Sequence, residues 1–271
     1  MAEKLVIAGT AEEAVKLKNK DNVYLAGGTE VMRLGSCTEA DSYVSIRKLK
    51  EMRGVNAGKG TLDIGAACTF QELIDNDSIP EYLKETLHFM ASRTKRNMAT
   101  IGGNIAVLRD DSYLLPALMA AGAELDILNT DGSAERILVE DYVQGKDTFK
   151  DSLITNIHLN TECLALKSAR NANTAQSHAR LTASLALRDG EYRGFAAIKK
   201  FGIVKMDALT DKFNSAAGKL SEDEIVEFVK NDKDIKLSDD LLYGSADYRM
   251  YLLGITFALL YDELSVEGGR R

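Results

Sequence analysis

Two glycine pairs, Gly27-Gly28 and Gly102-Gly103, constrain this chain more than any other feature. The first follows the β-prone run Val23-Tyr24-Leu25-Ala26, and beyond Thr29 the segment Glu30-Val31-Met32-Arg33-Leu34 can continue as a helical turn. The second interrupts Ala99-Thr100-Ile101-Gly102-Gly103-Asn104-Ile105-Ala106 after a helix. Lacking a Cβ, glycine lets its backbone N–H approach an anion closely, and consecutive N–H groups at a helix start make a concave site for phosphate oxygens. Thr29, Thr100 and Asn104 can add side-chain donors. Each pair alone reads as a tight turn; two pairs with these flanks leave the turn and the anion site evenly matched. The basic run Arg93, Lys95, Arg96 just upstream could draw in a diphosphate, or could be an exposed helix end.

Other motifs are excluded by spacing. Gly54-Val55-Asn56-Ala57-Gly58-Lys59-Gly60-Thr61 imitates a phosphate-binding loop, but it has three residues between its outer glycines where four are needed, and it reads as a turn before a strand. Neither GxGxxG nor GxSxG occurs. Cys37, Cys68 and Cys163 are widely spaced with no CxxC, so each is expected to be a small buried hydrophobe rather than a ligand or disulfide partner. His88, His158 and His178 lack metal-motif spacing, and His158 falls in an alternating strand where half-burial is expected. Arg109-Asp110-Asp111 reads as a solvated loop. No residue stands out as a catalytic acid, base or nucleophile, and none as a metal ligand.

Around the glycines the pattern alternates between helix and strand. Thr10-Ala11-Glu12-Glu13 predicts a capping box opening a helix over Ala11 to Lys18, and Tyr43-Val44-Ser45-Ile46 predicts a strand of a small parallel arrangement ending near residue 55. Thr61 to Ala66 alternates as a strand, Thr69-Phe70-Gln71-Glu72 is a second capping box, and Pro80-Glu81 starts a helix running to about Ser92. Leu114 to Ala121 is helical, and Glu124–Leu128 with Arg136–Val139 forms a hairpin, closing a second unit near residue 160. In the last third, Asp189-Gly190 joins two strands, Leu181 to Leu187 and Tyr192 to Phe201. Helices follow at Lys205 to Ala217, Glu222 to Lys230 and Ala246 to Leu264. The stripe Tyr248, Tyr251, Leu252, Ile255, Leu259 is expected to pack on the hairpin.

The composition belongs to an ordinary folded protein: 271 residues with 45% apolar and 28% charged side chains. A formal charge of −7 offers no basic field for a nucleic-acid backbone. No apolar run approaches the roughly 20 residues that cross a bilayer. Met1 to Lys20 does not read as a secretion signal, so the cytoplasm is expected.

Three segments together resemble one family. Leu25-Ala26-Gly27-Gly28-Thr29-Glu30, Ile64 to Leu73 and Arg96 to Ala106 are similar, in order and spacing, to the motifs of the flavin subunit of molybdenum hydroxylases, the family of the xanthine dehydrogenase and carbon monoxide dehydrogenase medium subunits. Pro116-Ala117-Leu118 and the C-terminal hairpin with helices extend the resemblance over essentially the whole chain. It implies an α+β, PCMH-type FAD-binding fold of two α/β subdomains, about 1–55 and 56–160, followed by a C-terminal domain of antiparallel sheet and helices over 161–271. FAD would lie with its diphosphate between the two glycine loops, with backbone donors from residues 25–31 and 100–104. The implied contacts are Leu25, Ala26, Gly27, Gly28, Thr29, Glu30, Val31, Thr100, Ile101, Gly102, Gly103 and Asn104, with Ile154 against the flavin and Lys167 near its ring system. The implied partners are a molybdopterin-binding large subunit and a small iron–sulfur subunit, with NAD(P)+ or another acceptor. Tyr113 and Val107 depart from the family pattern, which usually has Asp and a hydroxyl there, and resemble a divergent subgroup like the flavin subunits of selenate-reductase or selenium-linked hydroxylase systems. A flavin-free structural subunit and a stand-alone flavin oxidase of this fold remain the alternatives.

Overall fold

The computed structural model describes residues 4–33, 40 and 42–268. In chain order the first elements are β1 (Lys4–Ile7), α1 (Ala11–Leu17), β2 (Asn22–Leu25), β3 (Ser42–Ser45), a 3-10 turn (Lys50–Met52), β4 (Val55–Ala57), β5 (Thr61–Gly65) and α2 (Phe70–Ile74). Next come α3 (Glu81–His88), α4 (Arg93–Arg96), α5 (Ile101–Ala106), α6 (Leu115–Ala120), β6 (Glu124–Leu128), β7 (Ala134–Leu138), α7 (Val139–Gln144), α8 (Lys146–Phe149) and β8 (Leu153–Asn160). The chain ends with β9 (Leu164–Asn171), β10 (Leu181–Arg188), β11 (Glu191–Ile198), β12 (Gly202–Lys205), α9 (Asp207–Ser215), α10 (Glu222–Lys230) and α11 (Ala246–Gly268). It divides into two compact units: Met1–Pro80, Met90–Leu108 and Gly122–Glu162 form the first, and Glu81–Phe89, Arg109–Ala121 and Cys163–Arg271 the second.

The first unit holds two sheets. β1, β3 and β2 run parallel in that order, the small parallel arrangement expected before residue 55. β1 escaped the sequence reading because it is a four-residue edge strand with Leu5 and Ile7 largely exposed, so it lacks an alternating pattern. The second sheet is antiparallel, ordered β4-β5-β8-β6-β7, with Leu62, Ile64, Leu125, Ile157 and Leu159 buried. Thr69 closes a reciprocal capping box with Glu72 as expected, whereas the Glu13 carboxylate bonds Gly9 N–H instead of its own cap residue. The helix predicted from Glu81 to Ser92 is two: α3 stops at His88, and Ser92 caps α4 by accepting from Lys95 N–H. Glu30 to Arg33 makes turns rather than a helix, and Leu34 lies outside the described residues.

In the second unit β12-β11-β10-β9 is antiparallel, and Asp189-Gly190 turns the central hairpin with both residues at positive φ. Leu181, Ala183 and Leu185 on β10 pack with Leu209, Phe213, Ile225, Val229, Leu253, Phe257 and Leu264 of α9, α10 and α11. The stripe expected to face this core does not. Met250, Leu253, Phe257, Leu260 and Leu264 are buried, while Tyr248, Tyr251 and Leu259 are exposed on the opposite side of α11. Both series satisfy helical spacing, so periodicity could not choose between them; burying Phe257 and the Met250 thioether covers more apolar area.

Phe257→Ala should therefore lower stability by about 3–5 kcal/mol and Tyr251→Ala by less than about 0.5 kcal/mol, read from denaturant unfolding midpoints. Equal costs would contradict this phase of α11.

Candidate functional site

The two glycine segments, distant in sequence, meet in the first unit. β2 ends at Leu25, whose carbonyl accepts from Ile46 N–H, and the chain then turns through Ala26 to Val31. At Gly27 it passes so close to the other segment that a Cβ there would overlap the Met98 carbonyl. Gly28 has φ +74°, a left-handed value that glycine adopts without strain, and its carbonyl accepts from Met32 N–H at 2.9 Å. Glu30 and Arg33 form an ion pair at 2.7 Å.

The second glycine pair does not interrupt a helix but opens one. Thr100 caps α5, its hydroxyl accepting from Gly103 N–H at 3.2 Å. Beneath it lies the segment Ile64 to Leu73: Ile101 N–H donates to Cys68 O at 3.0 Å and Gly102 N–H to Ala66 O at 2.9 Å, while Ala99 O accepts from Phe70 N–H at 2.9 Å. A Cβ on Gly102 would lie 2.6 Å from the Ala66 methyl, so the helix rests directly on a bed of small side chains. The three sequence motifs are thus one structural unit.

Its hydrogen-bonding capacity is uneven. Among the described residues the N–H groups of Gly27, Gly28 and Thr29 meet no protein acceptor. Those of Ile101, Gly102 and Asn104 are already bonded to protein carbonyls, so the backbone donors expected from residues 101, 102 and 104 are not available to a ligand. What the second segment offers instead is an acceptor: the Asn104 side-chain oxygen is buried without a hydrogen-bond partner. A site with free N–H groups on one loop and an orphan carbonyl near the other suits a ligand that carries both anionic oxygens and hydroxyl or N–H donors.

Arg96, expected to attract a diphosphate, is buried and engaged. Its guanidinium donates to Gln71 Oε1 at 3.0 Å and to the carbonyls of Met90 and Ala91 at 2.7 and 2.8 Å, while Arg93 and Lys95 are exposed. Ile154 is buried on β8 opposite Ile127, beside a register shift; Lys167 lies on β9 of the second unit, opposite Leu185. Val107 ends α5, and the Tyr113 ring carries the Arg170 guanidinium at 5.2 Å.

Two polar clusters were underread in the sequence. Asp111 does not sit in a solvated loop: it is buried, bonded to Arg109 at 2.7 and 2.9 Å and to His178 Nδ1 at 2.7 Å, while Lys199 joins Asp110 at 2.6 Å. Burial opposes ionisation of Asp111, but the Arg109, Lys199 and His178 charges more than offset it and hold its carboxyl below the ordinary carboxylate range. In the first unit His158 is half-buried, as expected, between Asp63 and Asp126, each at 2.6 Å, with Arg136 bonded to Asp126. Cys68 is buried, Cys163 is exposed against expectation, and Cys37 lies outside the described residues. Among the described residues no helix is long and apolar enough to cross a membrane.

Residues 2–160 match the family model of the FAD binding domain in molybdopterin dehydrogenase. The chain is 27% identical to the uncharacterized protein YgfM of Escherichia coli K12 over 99% of its own length and 98% of that protein's. It is 40% identical to the xanthine dehydrogenase FAD-binding subunit of Escherichia coli O157:H7 over 108 residues, 36% of each chain. Its fold matches a chain of the reconstituted CO dehydrogenase of Oligotropha carboxidovorans with TM-score 0.84 at 20% identity, covering 97% of both chains. Quinoline 2-oxidoreductase of Pseudomonas putida 86 matches with TM-score 0.82 at 17% identity, covering 97% of this chain and 96% of that one. The expected α+β architecture is therefore the observed one.

The Asp111 cluster carries a pH consequence. A carboxyl whose folded pKa is depressed stabilises the fold above its unfolded value, near 4, and that contribution is lost as pH falls through the folded value. Asp111→Asn should cost about 3 kcal/mol at neutral pH by leaving Arg109 and Lys199 poorly compensated, and should flatten the acid limb of the stability–pH curve. Parallel acid limbs in urea titrations would contradict this.

Proposed function

The chain belongs to the family of FAD-binding domains found in molybdopterin dehydrogenases, and from that membership we propose that it is the FAD-binding, electron-transfer subunit of a multi-subunit molybdenum hydroxylase. The observation that carries this is the uneven glycine cleft. Gly27, Gly28 and Thr29 present consecutive N–H groups without protein acceptors, which suits the two phosphates of a dinucleotide. The orphan Asn104 oxygen suits a hydroxyl or N–H of the same molecule, and FAD carries ribityl and ribose hydroxyls as well as a diphosphate. The residues present therefore fit FAD. Thr100 and the Ala66–Cys68 bed hold α5 in place without touching a ligand through their own bonded amides.

FAD, when bound, supplies the chemistry that joins one-electron carriers to a two-electron acceptor. This chain contributes position and electrostatics, with Ile154 against the flavin and Lys167 near its ring system as the further contacts of the proposal. The partners are a large molybdopterin-binding subunit and a small iron–sulfur subunit, and the acceptor is NAD(P)+ or another oxidant. The fold matches to CO dehydrogenase and quinoline 2-oxidoreductase support this assembly, as does the relative described as a xanthine dehydrogenase FAD-binding subunit. The proposal includes a division into a flavin-binding part, 1–160, and a C-terminal part, 161–271.

The test is FAD titration of the purified chain by flavin fluorescence. Binding is expected in the nanomolar to micromolar range, about −12 to −8 kcal/mol. Gly28→Asp keeps a residue type that tolerates positive φ but places a carboxylate beside the free N–H groups, and should weaken FAD at least about 100-fold by occupying those donors and repelling phosphate. Asn104→Leu should cost about 3- to 10-fold, the worth of one neutral hydrogen bond. Gly132→Asp, at an open hairpin tip with φ +86°, should change nothing. A colourless chain that ignores added FAD would instead make this a structural subunit.

A further inference from the structure

The outward face of α11 and the loop that precedes it have no role in the flavin site. Leu241 and Leu242 stand at 106% and 73% exposure, as open as side chains in an unfolded segment. Yet their loop is not loose. Asp240 and Gly244 exchange two backbone hydrogen bonds at 3.0 and 2.9 Å, and Asp240 Oδ1 accepts from the N–H groups of Leu242 and Tyr243 at 2.8 and 3.0 Å. Asp239 Oδ1 ties the loop to the start of α11 through Ala246 N–H at 2.8 Å. The result is a braced hook with two leucines at its tip.

From the hook an apolar stripe runs along the outside of α11 through Tyr248, Tyr251, Ile255 and Leu259. With the opposite side of the helix filling the core, α11 is apolar on both faces, as helices covered on both sides are. Beside the C-terminal half of the stripe lies a groove of about 450 Å³, lined by Leu220, Ile225, Leu252, Ile255, Ala258 and Leu259. The charges at the two ends differ. At the hook end Arg180 bonds the Tyr248 hydroxyl at 3.3 Å and Lys200 lies within electrostatic reach of Asp240. At the groove end Glu222 and Asp262 line the rim, Asp262 paired with Lys219, and α10 opens with Glu222-Asp223-Glu224. Arg170 also lines the groove, with its guanidinium held by the Ser177 carbonyl and the Tyr113 ring.

Hook and groove are separated by about 20 Å along α11. We propose that this face pairs with a second copy of the same chain: two α11 helices run antiparallel about a two-fold axis near Tyr251, and the Leu241–Leu242 hook of each copy enters the groove of the other. That operation brings the hook-end cations, Arg180 and Lys200, to the acidic groove rim of the partner copy, and it covers both ends of the stripe at once. A contact in which one patch serves both copies closes on itself and gives a dimer rather than a filament.

The test is the mass of the full-length chain in solution by size exclusion with light scattering. The wild type should run at twice 29.6 kDa at micromolar concentration. Leu241→Asp with Leu242→Asp should run as a monomer with unchanged circular dichroism and unchanged FAD titration, since both side chains already lie in solvent. Leu259→Asp, in the groove wall, should do the same. For register, Leu242→Cys and Leu259→Cys are made separately in a chain carrying Cys37→Ser and Cys163→Ser. A disulfide-linked dimer should form when the two are mixed and oxidised, and not from either alone. A monomeric wild type, a dimer that survives the hook substitutions, or open-ended oligomers would overturn the proposal. So would hook substitutions that release a different co-purifying chain while leaving the self-association intact.

Discussion

The site depends on a contact between two stretches of bare main chain. Gly27 abuts the Met98 carbonyl because neither position places a side chain between them, and Gly102 lies on Ala66 for the same reason. Backbone contacts of this kind are unforgiving, since a peptide carbonyl cannot rotate away as a side chain can. The consequence is a chain of dependence. Thr69 caps α2 and also bridges Thr100; Thr100 caps α5; Cys68 and Ala66 receive the first amides of α5; and α5 sets the segment that Gly27 meets. The loop with the free N–H groups is therefore positioned by residues some 40 to 75 positions further along the chain.

How much of this was legible in the sequence depended on how local the controlling interaction is. The boxes at Thr69 and Ser221 and the Asp189-Gly190 hairpin rest on neighbours within a few residues, and the structure has them as read. The union of the three motifs was visible only through a family resemblance, because nothing in 25–31 taken alone specifies contact with Met98. Readings failed where a residue's partner is remote. Arg96 looked like a free cation because Gln71, its buried partner, lies 25 residues away, and Asp111 looked solvated because Lys199 and His178 come from the far side of the second unit's sequence. The phase of α11 failed for another reason: two apolar stripes exist, and which one is inside is decided by the shape of the surface it packs on.

The distribution of donors also shapes the electrostatics of the cleft. A diphosphate brings two negative charges into a chain whose formal charge is already −7. The cations nearest in sequence are withheld: Arg33 is paired with Glu30, and Arg96 is bonded to one side-chain oxygen and two carbonyls. The phosphates would be met by neutral amide dipoles instead. Such donors give direction and short range, and they select a ligand by where its oxygens sit rather than by its charge.

This choice has a structural reason. A lysine or arginine brought into the cleft would need room for a long side chain between two segments that touch through their backbones, and it would carry its own desolvation cost into the contact. Main-chain N–H groups occupy no additional volume and lose no rotamer freedom when a ligand binds. The same absence of side chains that lets Gly27 reach Met98 thus leaves the amides of Gly27, Gly28 and Thr29 bare, so the packing constraint and the binding capacity of this cleft arise from a single feature of its residues.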